Sequence, residues 1–284
     1  MRNHILSKMT GEEVEQYLDR GGDTIFIALG VVECHGTLPI DCETIGPEAY
    51  AVALAEKYDA VAMIDLPFFY PGGTVISNAT VHLTIQNTIT WLNTICRSLI
   101  DQGFKKLILI SGHGPWATSI NAFVRDFYEK YHIHPVHISS MFFPMKAYGE
   151  DFAAIWEKTR NVIYGQYKYM GQIEYLPVCP DAPEAAASHK TVEPELAAFE
   201  KCVREFGGYT SALSTMYSDP AEHGGGRIFR SEEERLEACS EGEKVFLEIV
   251  DKVDLTALLK AIGDYQDYTA RLLEKYPRLT KLGR

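Results

Sequence analysis

The sequence predicts an α/β fold, a mostly parallel sheet with helices packed on both faces, and three observations lead there. Four short runs are almost continuously apolar, as strands buried on both faces must be. Helical periodicities fall between successive runs, and that alternation builds parallel sheets. The chain has 284 residues, 46% of them hydrophobic, which suits one sizeable core and is short for two. A single domain over 1–284 is therefore expected.

Taken in order, Thr10 and Glu13 form a potential capping box for a helix over 10–19. The first strand is TIFIALGVVE (24–33), followed by a helix over 45–57 and a second strand, AVAMIDLPFF (60–69). A helix over 84–102 leads to KKLILISGH (105–113), and a helix over 117–131 leads to PVHISSMFF (135–143). Beyond this βαβαβαβ series, 150–182 is mixed and aromatic, 184–206 has helical periodicity, 207–230 reads as a Gly-rich loop, and 231–250 is a charged amphipathic helix.

The formal net charge of −12 and pI near 5.2 oppose binding to a phosphate backbone, so no nucleic-acid partner is expected. No apolar stretch is long enough for a signal-peptide core or a bilayer span, so the expectation is a cytoplasmic protein without a membrane partner. Six cysteines without CxxC spacing read as free thiols. No GxGxxG follows the first strand, which argues against a dinucleotide-binding protein.

The chemistry concentrates at two strand ends. In Glu33-Cys34-His35-Gly36, alternation along an extended chain puts Glu33 and His35 on one face and Cys34 on the other. Asp41 and Glu43 follow within reach, and mixed oxygen and nitrogen donors suit Zn²⁺ or Mn²⁺. In Ser111-Gly112-His113-Gly114 the histidine sits at a strand-to-helix turn, where it meets Glu33 and His35 if the two strands are neighbours. Either motif alone is short enough to arise by chance; together, at the ends of buried strands, they favour a metal site. His132, His134 and His137 read as polar residues leading into an edge strand, and Cys34 and Cys42 as packed thiols rather than nucleophiles. His223 and Arg227, in a Gly-rich loop, are candidate substrate-binding residues or ordinary surface groups. The aromatic-rich segment 141–175 walls a pocket or packs a subunit interface.

These segments resemble the creatininase (creatinine amidohydrolase) family. ECHGTLPIDCET is similar to that family's ExHGxHLPxxxD motif with one residue fewer before Leu38-Pro39, and Gly103-Phe104-KKLILI-SGHG is similar to a strand ending in NGHGGN. Ala238-CSEG-Glu243-Lys244 is a softer match to ATAEKGEK. The resemblance implies a three-layer α/β/α metal-dependent hydrolase with two divalent ions, zinc or manganese, assembled as a homo-hexamer. By position, Glu33 and His113 would hold one ion and His35 the other, with an acid bridging them; Glu43 is preferred and Asp41 is the alternative. A family segment HAGExETS corresponds to Tyr169–Glu174, so that Glu174 becomes a metal ligand or general base, with Tyr169 standing where the family has a histidine; a solvated carboxylate is the plain alternative for Glu174. Pro115 falls where creatininase has a further acidic ligand. Glu174 or Tyr169 would then manage the proton. Because of Tyr169 and Pro115 the preferred substrate is a sugar- or inositol-derived cyclic diketone like 3-dehydro-scyllo-inosose. A cyclic amide or formamide is the alternative substrate, and a non-catalytic binding protein that keeps the fold is the alternative class.

Overall fold

The computed structural model describes residues 1–72, 79–181, 194–207 and 226–281. Its centre is a four-stranded parallel sheet of β1 (Thr24–Leu29), β2 (Val61–Met63), β3 (Lys106–Ser111) and β4 (Val136–Ser139), in the order β2-β1-β3-β4. Each strand is shorter than its apolar run. The residues past Leu29 and Ser111 leave the ladder, so Glu33 and His35 stand on a loop and not on an extending strand. Strand alternation is therefore not what places them on one side.

Alternation does govern the strands themselves. Phe26, Ala28, Ala62, Ile108 and Ile110 face one core, which is completed by α2 (Cys42–Lys57), α9 (Glu232–Lys252) and α10 (Thr256–Lys275). Ile25, Ile27, Leu29, Val61, Leu107 and Leu109 face the other, against α1 (Gly11–Asp19), α3 (Ile85–Gln102) and α4 (Ala117–Tyr131). Side chains of period two thus bury both faces of the sheet, giving three layers. Thr10 caps α1 through the reciprocal box with Glu13.

The segment after β4 is helical: α5 (Phe142–Tyr148), α6 (Phe152–Thr159) and α7 (Val162–Tyr169) replace the end of the expected fourth strand and the mixed stretch that follows it. Helix α8 (Pro194–Glu205) covers the described part of the expected 184–206 helix. Helices α7 and α9 cross at backbone contact: a Cβ on Gly242 would lie 1.9 Å from the Asn161 carbonyl oxygen, and one on Gly165 would lie 2.0 Å from the Glu243 nitrogen. Only glycine permits that approach. No described helix is long and apolar enough to cross a membrane.

The topology decides where a site can form. The chain passes from β1 through α2 to β2 on one side, then returns through α3 to β3 on the other side of β1. The loops after β1 and β3 therefore diverge at a topological switch point, where open parallel sheets leave a crevice at their carboxyl ends. Leu29 pairs with Ser111, so the two strands end level and both loops start at the same height.

Candidate metal centre

The loop after β1 is folded tightly. Gly36 has φ +62°, the Leu38 N–H donates to the His35 carbonyl at 3.1 Å, and the Glu33 N–H donates to the Ile40 carbonyl at 2.9 Å. Gly30 lets α2 close over the loop, since a Cβ there would lie 2.2 Å from Thr44 Oγ1, and that hydroxyl donates to the Val31 carbonyl at 3.0 Å. Pro47 has no N–H to return to the Glu43 carbonyl; the start of α2 is tied instead by the Thr44 and Ile45 N–H groups to the Asp41 carbonyl. The first turn of α2 is thereby pressed against Glu33.

Glu33, His35 and Glu43 each offer a donor atom within 4.8 Å of the others, the one such group of three among the described residues. Glu43 turns one oxygen to each imidazole: Oε1 lies 3.7 Å from His35 Nε2, and Oε2 contacts His113 Nδ1. His113 Nδ1 is also 3.3 Å from Glu33 Oε2. Its other nitrogen faces a group that can only accept, the Pro71 carbonyl at 2.7 Å, so Nε2 carries a hydrogen. That bond fixes the tautomer whose Nδ1 lone pair points at the carboxylates, as in metal-ligating histidines that donate their second N–H to a backbone carbonyl. Burial opposes a charged His113, yet Glu43, Glu33 and the Pro71 carbonyl outweigh it and raise its pKa above the usual imidazole value of 6.5. Two carboxylates and two imidazoles converging in this way fit a divalent ion of the zinc or manganese type.

The other acids lie elsewhere. Asp41 stands just before α2, and its Oδ1 accepts a 2.5 Å hydrogen bond from the Tyr167 hydroxyl, so Glu43 and not Asp41 meets the histidines. Glu174 is exposed on a short 3-10 helix (Ile173–Tyr175) and is outside the group of metal-type donors. The Tyr169 hydroxyl donates to Glu56 at 2.8 Å and its ring packs on Phe246, away from the centre. Tyr169 ends α7 with its hydroxyl on Glu56 of α2, and Glu174 follows on the 3-10 helix, outside the group of metal-type donors. His223 lies outside the described residues.

A cleft of about 990 Å³ opens from His35 and Glu43 between α2 and α7. Arg227 lines it; its backbone N–H donates to the Tyr164 hydroxyl at 2.5 Å and its guanidinium lies over Phe229. Gln166, buried on α7, also lines the cleft and was not foreseen, although a lone amide among the aromatics of VIYGQYKY was the available signal. Cys42 is buried, and burial, with Glu43 and Asp41 nearby, raises its thiol pKa well above the usual value, so it is no thiolate nucleophile. His132, His134 and His137 form no metal-type group: His132 ends α4 in a left-handed conformation, His134 packs on Tyr128 and Tyr265, and His137 bonds Ser111 Oγ at 2.7 Å.

The family model for creatininase, described as creatinine amidohydrolase, matches residues 7–169, more than half of the chain. The chain belongs to the creatininase family. Solved structures of creatininases share its fold. One titled creatinine amidohydrolase (creatininase) is 18% identical, with a TM-score of 0.58 over 93% of this chain and 98% of that one. A mutant creatininase titled as the Zn-Zn type is 18% identical, with a TM-score of 0.55 over 98% and 100% of the two chains. A third, titled creatininase Mn, is 17% identical, with a TM-score of 0.54 over 97% and 99%. No curated protein sequence matches the chain. The creatininase match ends at Tyr169, the last residue of α7, so it takes in both strand-end motifs and one wall of the cleft.

Proposed function

We propose that the protein is a divalent-metal-dependent hydrolase that opens a small cyclic substrate at a ring carbonyl. The observation that carries this reading is Glu43 reaching both His35 and His113, beside Glu33, at the switch point of a parallel sheet. Glu33 and His113 would hold one ion and His35 a second, with Glu43 bridging. Bound there, divalent ions lower the pKa of a water and polarise a carbonyl. The Pro71 carbonyl holds the His113 ring in place, and burial of Glu33 keeps bulk water from its carboxylate. The apolar side chains of Leu38, Pro47 and Val162 exclude water from the reacting end of the cleft, and Arg227 orients the substrate from its rim.

Two ring chemistries remain. A cyclic amide or formamide accords with the family's description and with creatininases as a group. A sugar- or inositol-derived cyclic diketone is favoured by Pro115, whose ring packs on Gly72 next to His113 and leaves no acid there. The test loads the purified protein with Zn²⁺ or Mn²⁺, measures metal content, and incubates it with creatinine, a formamide and 3-dehydro-scyllo-inosose while mass spectrometry follows the addition of water. We expect two ions per chain, stabilisation by metal that a chelator reverses, and hydrolysis of at least one substrate. A chain that takes up no metal and is indifferent to chelation would be a binding protein with this fold. Light scattering of the same preparation checks the homo-hexamer that the family resemblance implies.

A further inference from the structure

We infer that the cleft takes a substrate bearing an anionic group, a carboxylate or a phosphate, which Arg227 and Arg160 hold at the rim. The inference rests on the hydrolase reading above and adds the charge of the molecule acted on. Arg227 is exposed and lines the cleft, and no described carboxylate pairs with its guanidinium. What the guanidinium touches is the ring of Phe229, with Cζ 5.7 Å from the centroid. A guanidinium resting on an aromatic face keeps its N–H fork open to a two-oxygen acceptor such as carboxylate or phosphate.

The backbone that carries Arg227 is tied on three sides. Its N–H donates to the Tyr164 hydroxyl on α7 at 2.5 Å. Gly226, just before it, is pressed against the loop that presents His35, since a Cβ there would lie 2.7 Å from Thr37 Oγ1 and 2.8 Å from Leu38 Cγ. Phe229, just after it, is buried, packs edge-on against Tyr164 at 5.0 Å and accepts from the Cys179 N–H at 2.8 Å through its carbonyl. The charge is therefore set in place beside the metal-type donors, and holding an anion there costs little ordering of the chain.

Arg160 reaches the same cleft from the other side. Residues 160 and 161 have right-handed helical backbone, and the Gly165 N–H donates to the Asn161 carbonyl at 3.1 Å. Arg160 thus stands one turn before Tyr164, the residue that anchors Arg227, and residues four apart share a helix face. Its ion pair with Glu157, at 2.9 Å, joins side chains that are 59% and 77% exposed, and such a pair yields readily to a better anion. Among the described residues lining the cleft the one carboxylate is Glu43, which is turned to the histidines. In a chain with 39 acids against 27 Lys and Arg, a rim with two guanidiniums runs against the overall charge. Such a patch draws anions to a surface that elsewhere repels them.

The experiment uses the full-length zinc-loaded protein and measures by calorimetry the binding of glucose, glucuronate and glucose 6-phosphate, one ring in neutral, carboxylate and phosphate forms. At least one anion is expected to bind at least about tenfold more tightly than glucose, charge-assisted hydrogen bonds being the stronger ones. That advantage should shrink as salt is raised. A preference for glucuronate alone assigns a carboxylate, and one for glucose 6-phosphate alone assigns a phosphate; either supports the inference. Because an anion can also meet zinc directly, the deciding comparison is Arg227→Gln, which should bring the three sugars level, with Arg227→Lys keeping part of the difference. Arg160→Gln should give a smaller loss and, lying on another element, serves should the Arg227 variants be poorly folded. Equal binding of the three sugars, no binding of either anion, or a preference that survives Arg227→Gln combined with Arg160→Gln overturns the inference. Metal content of the same samples reads the hydrolase proposal separately: a wild type without zinc sinks that reading, whereas normal zinc content with equal binding sinks only this one.

Discussion

The two walls of the cleft are built on opposite electrostatic plans. At the switch point, Glu33, His35, Glu43 and His113 crowd together, with both imidazoles turned towards carboxylates. On the α7 wall, Gln166 and Arg227 are set among apolar and aromatic side chains such as Val162, Ile163 and Tyr164. The difference teaches that the charged donors and the remaining cleft wall are carried by separate elements, one pinned by strands and the other by the crossing of two helices.

The largest effect should come from breaking the charged wall. Glu43→Gln keeps the volume but removes the charge that both histidines face, and metal affinity, read by competition with a chelator, should fall by at least about 100-fold, since even groups behind metal ligands cost 10–100-fold. Asp41→Asn, two residues earlier, should leave it near wild type because its partner is Tyr167. Protons compete for the same cluster. His113 is raised above 6.5, so from above that pH downward metal affinity should drop by about tenfold per pH unit for one displaced proton. A pH-independent affinity between pH 5 and 7 would show that His113 does not bind the ion.

The α7 wall should break through packing. Gly242→Ala drives a Cβ into the Asn161 carbonyl and should cost about 3 kcal/mol in chemical denaturation, shifting α7 while leaving the donor group in place. A change under about 0.5 kcal/mol would mean that the helices separate freely.

The smallest effect probes the helix that joins the two walls. Glu48 on α2 is buried and accepts from the Asp65 N–H at 2.8 Å; burial, only partly offset by that bond, lifts its pKa to about 7. The folded chain therefore keeps a proton that the unfolded chain has lost, and stability falls as pH rises from the usual 4.5 to about 7. Glu48→Gln preserves the acceptor, so it should stabilise the protein by about 1–2 kcal/mol at pH 8 and flatten the thermal-melt profile between pH 5 and 7.

How much of this was legible differs between the walls for a physical reason. Glu33, His35 and His113 stand out because ionisable residues at the end of runs such as KLILIS need polar or charged partners if they are buried. The expected mechanism of their meeting was incomplete: the strand stops at Leu29, and a turn at Gly36 and the approach of α2 at Gly30 bring the side chains together. Glu43 was preferred over Asp41 only through the family resemblance while 41–43 read as loop; the helix starts at Cys42, and Asp41 turns to Tyr167 while Glu43 turns to the histidines. Gln166 had no motif to announce it, and Glu174 and Tyr169 were placed by a family resemblance that says nothing of the side on which α7 and the turn after it present them.

The sequence by itself determined the layered α/β fold and the kind of donors at the strand ends, because burial of period-two and helical patterns leaves no other home for the apolar runs or for ionisable groups beyond them. Only the tertiary structure decided which donors share a point and which helix walls the cleft beside them. Those facts depend on β1 and β3 being neighbours and on α7 touching α9 at two glycines, and both are contacts between segments far apart along the chain.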